Sequence, residues 1–203
     1  MPEYSIKIRS ASAADLDGLT DLIHRAATAN AILPRSREQI SEYLETFVVA
    51  EHDGVVSACA ALAAVDPSHA EIRSVAVDPI VQKLGVGLRL VRFLVDVAEQ
   101  VEISRLFLVT TKPGFFARAG FVAEDLEGSA ASYLQSMLHR NGRSLEGKFI
   151  MTLDLDNANF TQHTVESVEH LPATTASPLW LDHAVEVKAV IPQPKPRRGL
   201  PLA

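Results

Sequence analysis

Residues 47–65 run FVVAE, His52, Asp53-Gly54, then VVSACAALAAV. An Asp-Gly pair between two apolar runs marks a two-residue hairpin, because both central residues of such a turn sit at positive φ. The return run, Val55 to Val65, is almost entirely small and apolar and belongs inside a sheet. The rest of the pattern supplies strands and helices around this hairpin. Tyr4 to Arg9 alternates as a first strand. Ser12 and Asp15 form an acidic variant of a capping box ahead of Leu16, Leu19, Leu22, Ile23 and Ala26 at helical spacing. Ser36 and Gln39 cap a second helix carrying Ile40, Tyr43 and Leu44.

Ala70 to Val77 is the next strand, closed by Asp78-Pro79. Leu84, Leu88, Val91, Val95 and Ala98 make one helical stripe, and Leu90, Leu94 and Val97 another, so that helix must be covered on more than one side. Strands follow at Ile103 to Val109, Phe121 to Ala123 and Phe149 to Leu155. Short helices fall between them, from Pro113 to Ala119, stopped by Gly120, and from Ala131 to Leu138. The fold class is α/β: a mixed central sheet flanked by helices, with no internal repeat.

Composition narrows the functions open to such a domain. The chain has 203 residues, 47% of them hydrophobic, which is one domain with some excess. A net charge of −6 argues against nucleic acid as a partner. The single cysteine, Cys59, rules out a disulfide within the chain, and no His/Asp/Glu spacing suggests a metal. The N-terminus lacks an apolar signal core and no run reaches membrane-spanning length, so a soluble, cytoplasmic protein is expected. After Asp156 the character changes. Residues 1–156 read as the domain and 157–203 as a C-terminal extension, extended or disordered over Pro192 to Ala203. Leu179-Trp180-Leu181 in that extension is a candidate docking point, on the domain or on a second copy in a homodimer.

Gln82-Lys83-Leu84-Gly85-Val86-Gly87 joins the strand ending at Val77 to the long helix. The first N–H groups of a helix have no internal partners and point outward with the positive end of the dipole, so an anion such as a phosphate satisfies them. Glycines at 85 and 87 would let a pyrophosphate approach the backbone. The spacing is neither a P-loop nor a dinucleotide-binding fingerprint, and two glycines alone are equally compatible with a plain turn.

The loop resembles the Q/R-x-x-G-x-G/A motif of the GNAT acetyltransferase superfamily. The preceding strand ending Val77-Asp78-Pro79 fits it, and Phe115-Phe116-Ala117-Arg118-Ala119-Gly120-Phe121 is similar to that family's F-[YF]-x-x-x-G-F. The resemblance covers residues 5 to 155 and implies acetyl-CoA as cosubstrate. Val75, Ala76, Val77, Gln82, Lys83, Leu84, Gly85, Val86, Gly87, Phe115 and Phe116 would contact it. Four stretches further resemble the acetyltransferase domain of N-acetylglutamate synthases: LPRSREQ from Leu33, AEIRSVAV from Ala70, SRLFLVTT from Ser104, and RNGRS from Arg140. That implies acetyl transfer to the α-amino group of L-glutamate, the first step of arginine biosynthesis, with the acceptor as the small-molecule partner.

Under this resemblance Glu71 is the general base that deprotonates the ammonium. A backbone N–H near Ala76 or Val77 serves the thioester oxygen. Thr110 stands in for the tyrosine that many relatives carry where this chain has Phe116. Arg35 and Arg143, then Arg73 and Lys112, would hold the two carboxylates. The residues themselves leave alternatives open: a solvent-facing strand-edge Glu71, an Arg73 paired with an acid of the sheet, a Thr110 spent on a local backbone bond. Direct attack is expected rather than an acetyl-enzyme. The family's Leu-Pro-Lys-like segment is replaced by EGSAAS at Glu127 to Ser132, and the kinase domain of full-length synthases has no room here, implying a short stand-alone enzyme. Another amine acceptor, or a non-catalytic acyl-CoA-binding module, are the rival readings.

Overall fold

The computed structural model describes residues 4–29 and 32–156, and the backbone of 185–189. β1 (Tyr4–Ser10) leads into α1 (Leu16–Thr28) and α2 (Arg37–Glu42). The hairpin β2 (Phe47–His52) and β3 (Val55–Ala64) continues into β4 (His69–Val77). Then come α3 (Val86–Gln100), β5 (Arg105–Thr110), α4 (Pro113–Ala117), β6 (Val122–Ala123), α5 (Gly128–Arg140) and β7 (Phe149–Asp154). The expected elements form in the expected order. Asp53 and Gly54 take φ of 49 and 77, as the hairpin requires. Both capping boxes form. Tyr43 and Leu44 leave the second helix for a tight turn, since a six-residue helix holds little by itself.

All described strands join one eight-stranded sheet in the order β6-β7-β5-β4-β3-β2-β1-β8, where β8 is Val185–Ala189. The sequence reading left β8 unassigned although VEVKA alternates apolar and polar; its backbone pairs antiparallel with β1, from Tyr4↔Ala189 to Ile8↔Val185. Leu179-Trp180-Leu181 and Pro192 to Ala203 lie outside the described residues. Every pairing is antiparallel except β4 with β5.

Two cores sandwich the sheet. On one face α3 buries both of its stripes, including Leu90, Val91, Leu94, Val95, Val97 and Ala98. On the other, Leu19, Leu22 and Ile23 of α1 and Ile40 of α2 cover Val49, Cys59 and Ala61. β3 runs between the two and is almost wholly buried, as its composition requires. Arg9 stitches β1 to its surroundings, donating to Asp15 at 2.7 Å and to Glu51 at 2.7 Å. That guanidinium holds the Asp15 carboxyl down at about 2.

Candidate active site

The site begins with a defect in the sheet. β4 carries one extra residue against β3: Cys59 faces Ala76, but Ala61 faces Arg73. Ser74 within this bulge sits at φ 55. An added residue reverses the in–out alternation. Ala70 and Ile72 enter the α3 core, then Val75 and Val77 pack on that same core while Ala76 points to the α1 side. The parallel pairing of β4 with β5 stops at Glu71↔Phe107, although β5 runs on to Thr110 beside β7. Past Glu71 the two strands part. A cleft of about 1520 Å³ opens there, walled by β4, the head of α3, the end of β5, α4 and α5.

The loop at one end of this cleft is held by its own backbone. The Asp78 carbonyl accepts from the N–H groups of Val81 and Gln82 at 3.0 and 3.1 Å. The Asp78 carboxylate accepts from Ile80 N–H at 3.0 Å and pairs with Arg25. Gln82 donates its side-chain amide to the Val77 carbonyl at 3.0 Å, tying the loop to the strand end. Lys83 and Gly85 turn the chain through φ of 71 and 79. The N–H groups of Gly85, Val86, Gly87 and Leu88 have no acceptor among the described residues, and all four residues line the cleft.

The two glycines do different structural work. A Cβ on Gly85 would meet nothing within 4 Å; its φ is the reason for glycine. A Cβ on Gly87 would lie 3.0 Å from Val77 Cγ2 and 3.2 Å from Phe115 Cζ. Gly87 is a buried contact that lets α3 close on β4 and on Phe115. Phe116 belongs to the core, stacking edge-on with Phe115 at 4.9 Å and Phe121 at 6.2 Å. Leu84, Val75 and Val77 pack partly against that core.

At the other end the site is made of side chains. Glu71 is only 6% exposed, so the solvent-facing alternative is excluded. Its Oε2 accepts from the Tyr133 hydroxyl at 3.0 Å and lies 4.0 Å from Arg73 Nη1. Burial pushes the Glu71 carboxyl above its ordinary value, against the pull of Arg73, Tyr133 and Arg35. The Arg73 guanidinium sits over the Tyr43 ring, 5.5 Å from its centroid. Arg35 donates from Nε to Ser74 Oγ at 2.8 Å; burial, and then Arg73, pull it below its ordinary value. Arg73 thus lies 4.0 Å from the carboxylate, while Arg35, bonded to Ser74, acts on it only through its charge.

The remaining expected residues sit on the cleft walls. Thr110 Oγ1 accepts from Lys112 N–H at 2.9 Å, the local bond that its strand-end position allows, and keeps its hydroxyl hydrogen to donate. Lys112 and Arg143 are exposed cleft residues, and neither side chain has an ion-pair partner among the described residues. Sequence reasoning missed Tyr133. Its only signal was an aromatic on α5, whose contact with Glu71 spans 62 positions. Eight lysines and arginines line the cleft against one carboxylate, Glu71, in a chain whose net charge is −6. The cleft therefore suits an anionic ligand. No group of three His, Cys, Asp or Glu able to hold a metal occurs among the described residues, and no helix there is long and apolar enough to cross a membrane.

A bulged strand parting from its parallel neighbour, with bare helix amides at the mouth of the gap, defines a class of anion-binding α/β domain. The chain belongs to the acetyltransferase (GNAT) family, whose model matches residues 16–121. An amino-acid acetyltransferase of Neisseria meningitidis is 36% identical over 121 residues, 59% of this chain and 28% of its own length. One from Mycobacterium tuberculosis is 34% identical over 125 residues, 60% of this chain and 70% of its own length. A solved structure of Neisseria gonorrhoeae N-acetylglutamate synthase, complexed with coenzyme A and N-acetyl-glutamate, has TM-score 0.65 and 32% identity. It covers 74% of this chain and 35% of that one. The chain thus spans about 28% of the length of the Neisseria meningitidis relative.

Proposed function

We propose that this chain transfers the acetyl group of acetyl-CoA to the α-amino group of L-glutamate. One observation carries the reading: a buried carboxylate 4.0 Å from the Arg73 guanidinium and within the field of Arg35, on the strand that runs to a row of bare helix amides. Acetyl-CoA, when bound, supplies an acyl group activated as a thioester. The N–H groups of Gly85 to Leu88 would take its diphosphate, with Lys83 and Gln82 at the rim and Phe115 beside them. The edge of β4 at Val75 to Val77, unpaired with β5, would offer an N–H to the thioester oxygen as charge develops there.

Glu71 would take the proton of the acceptor's ammonium, directly or through water, leaving a neutral amine to attack. A raised carboxyl suits that role, because a base works best near the ambient pH. Arg35 and Arg73 would bind one carboxylate of the acceptor, and Arg143 and Lys112 would approach the other from the cleft wall. The Thr110 hydroxyl would donate to the departing thiolate. An acceptor with two carboxylates suits the excess of cations, and the names of the relatives point the same way.

The test is a screen of amino acids and peptide amines with acetyl-CoA on the purified chain. The expected result is turnover with L-glutamate at a kcat/KM above that of neutral amino acids. Equal rates with neutral amines would replace glutamate by another acceptor. Coenzyme A binding with no turnover of any amine would leave an acyl-CoA-binding module.

A further inference from the structure

We propose that Tyr133 is a positioning residue for Glu71, fixing which carboxylate oxygen receives the proton; this rests on the reading of Glu71 as the base. Glu71 and Phe107 are directly paired on β4 and β5, so their side chains share one face of the sheet. Tyr133 covers both. Its ring meets the fully buried Phe107 edge-on at 6.2 Å and 71°, and its hydroxyl reaches Glu71 Oε2 at 3.0 Å. Arg73 bears on the same oxygen. Oε1 has no hydrogen-bond partner among the described residues. The carboxylate is therefore held by one oxygen with the other bare.

A second hydroxyl-to-carboxylate bond ties α5 to the sheet. One turn earlier, the Ser129 hydroxyl donates to Asp66 Oδ2 at 2.5 Å. Asp66 is itself locked in the β3–β4 turn by the N–H groups of Ser68 and His69 and by the His69 ring. Residues four apart on a helix lie on one face. Two hydroxyl-to-carboxylate bonds at that spacing therefore register α5 over the strand that bears the base. The charged and titratable groups facing Glu71 are Arg73 from its own strand, Arg35 from the loop before α2, and Tyr133 from α5; Tyr43 lies against Arg73.

A hydroxyl donating to the ionised carboxylate favours that form, so Tyr133→Phe should raise the pH at which the base titrates. The acid limb of kcat/KM is expected to move up by about one pH unit, with about a tenfold lower rate at a fixed pH on that limb. KM for acetyl-CoA should change less than about twofold. The phenyl ring keeps the Phe107 contact. An independent arm replaces all three tyrosines by 3-fluorotyrosine, which is nearly isosteric and a stronger donor. It should move the limb the opposite way in the wild type and leave Tyr133→Phe unmoved. Profiles that superimpose on wild type in both arms, with Glu71→Gln inactive, overturn the role of Tyr133 alone. Full activity in Glu71→Gln would instead remove the base reading.

Discussion

The two ends of the cleft are built from different material. Around residues 78–88 the working surface is backbone: four free N–H groups, a turn at positive φ, and a side-chain amide tying loop to strand. Around Glu71 it is side chains drawn from separate elements: Arg35 before α2, Glu71 and Arg73 on β4, Tyr133 on α5. A backbone site serves a ligand part that never changes, and it needs local conformation only. A side-chain site can be retuned one residue at a time, and it exists only when the sheet and helices are assembled.

If the two ends work separately, substitutions should sort into two groups. The largest effect is expected from Glu71→Gln, with kcat lower by roughly 10²–10⁴-fold. Calorimetric titration should show coenzyme A affinity within about twofold of wild type. Parallel loss of both would break the division. Next, Arg35→Ala should raise the acceptor KM by roughly 10- to 100-fold, the scale of one lost charge-assisted bond pair, while KM for acetyl-CoA stays within about threefold. Arg143→Ala should do the same more weakly, since the Arg143 guanidinium is exposed. Equal rises in both Michaelis constants would mean that the guanidiniums serve the nucleotide end.

The glycines sharpen the comparison within the backbone end. Gly87→Val should cost about 1–3 kcal/mol in urea unfolding, by forcing Val77 and Phe115 aside, and weaken coenzyme A binding with it. Gly85→Ala should cost about 1 kcal/mol, through its backbone angle alone. An unaltered unfolding midpoint in Gly87→Val would contradict the close approach at 3.0 Å.

The smallest effect lies away from the cleft, at Asp15. Its carboxyl is held below the ordinary value, so it adds stability above about pH 3.8 that fades as pH falls towards 2. In Asp15→Asn that stretch of the stability curve should flatten, with acetyl-CoA binding unmoved. A curve as steep as wild type would assign the acid sensitivity to other carboxylates.

How much was legible follows the same division. The hairpin at Asp53-Gly54, both capping boxes and the two stripes of α3 are local patterns, and each formed where the residues indicated. Both glycines of the loop were read alike, as room for a pyrophosphate. The φ of 79 at Gly85 and the packing of Gly87 on Val77 and Phe115, ten positions before and 28 after it, were not legible. The bulge at Ser74 carries no local signal, since Ser is an ordinary strand residue and its conformation answers to the pairing with β3. β8 was missed although VEVKA alternates as a strand does; what the sequence did not carry is its partner, β1, about 180 positions away.

By itself the sequence determined the order of elements, the mixed sheet, and the loop whose amides stay free, because periodicity, turn chemistry and unpaired helix ends act within a few residues of one another. Only the tertiary structure decided that Glu71 is buried, that Arg73 lies 4.0 Å from it, and that Tyr133 holds it. Those facts depend on which distant side chains meet in a low-dielectric cleft, and that is set when β4 and β5 part and α5 packs across them.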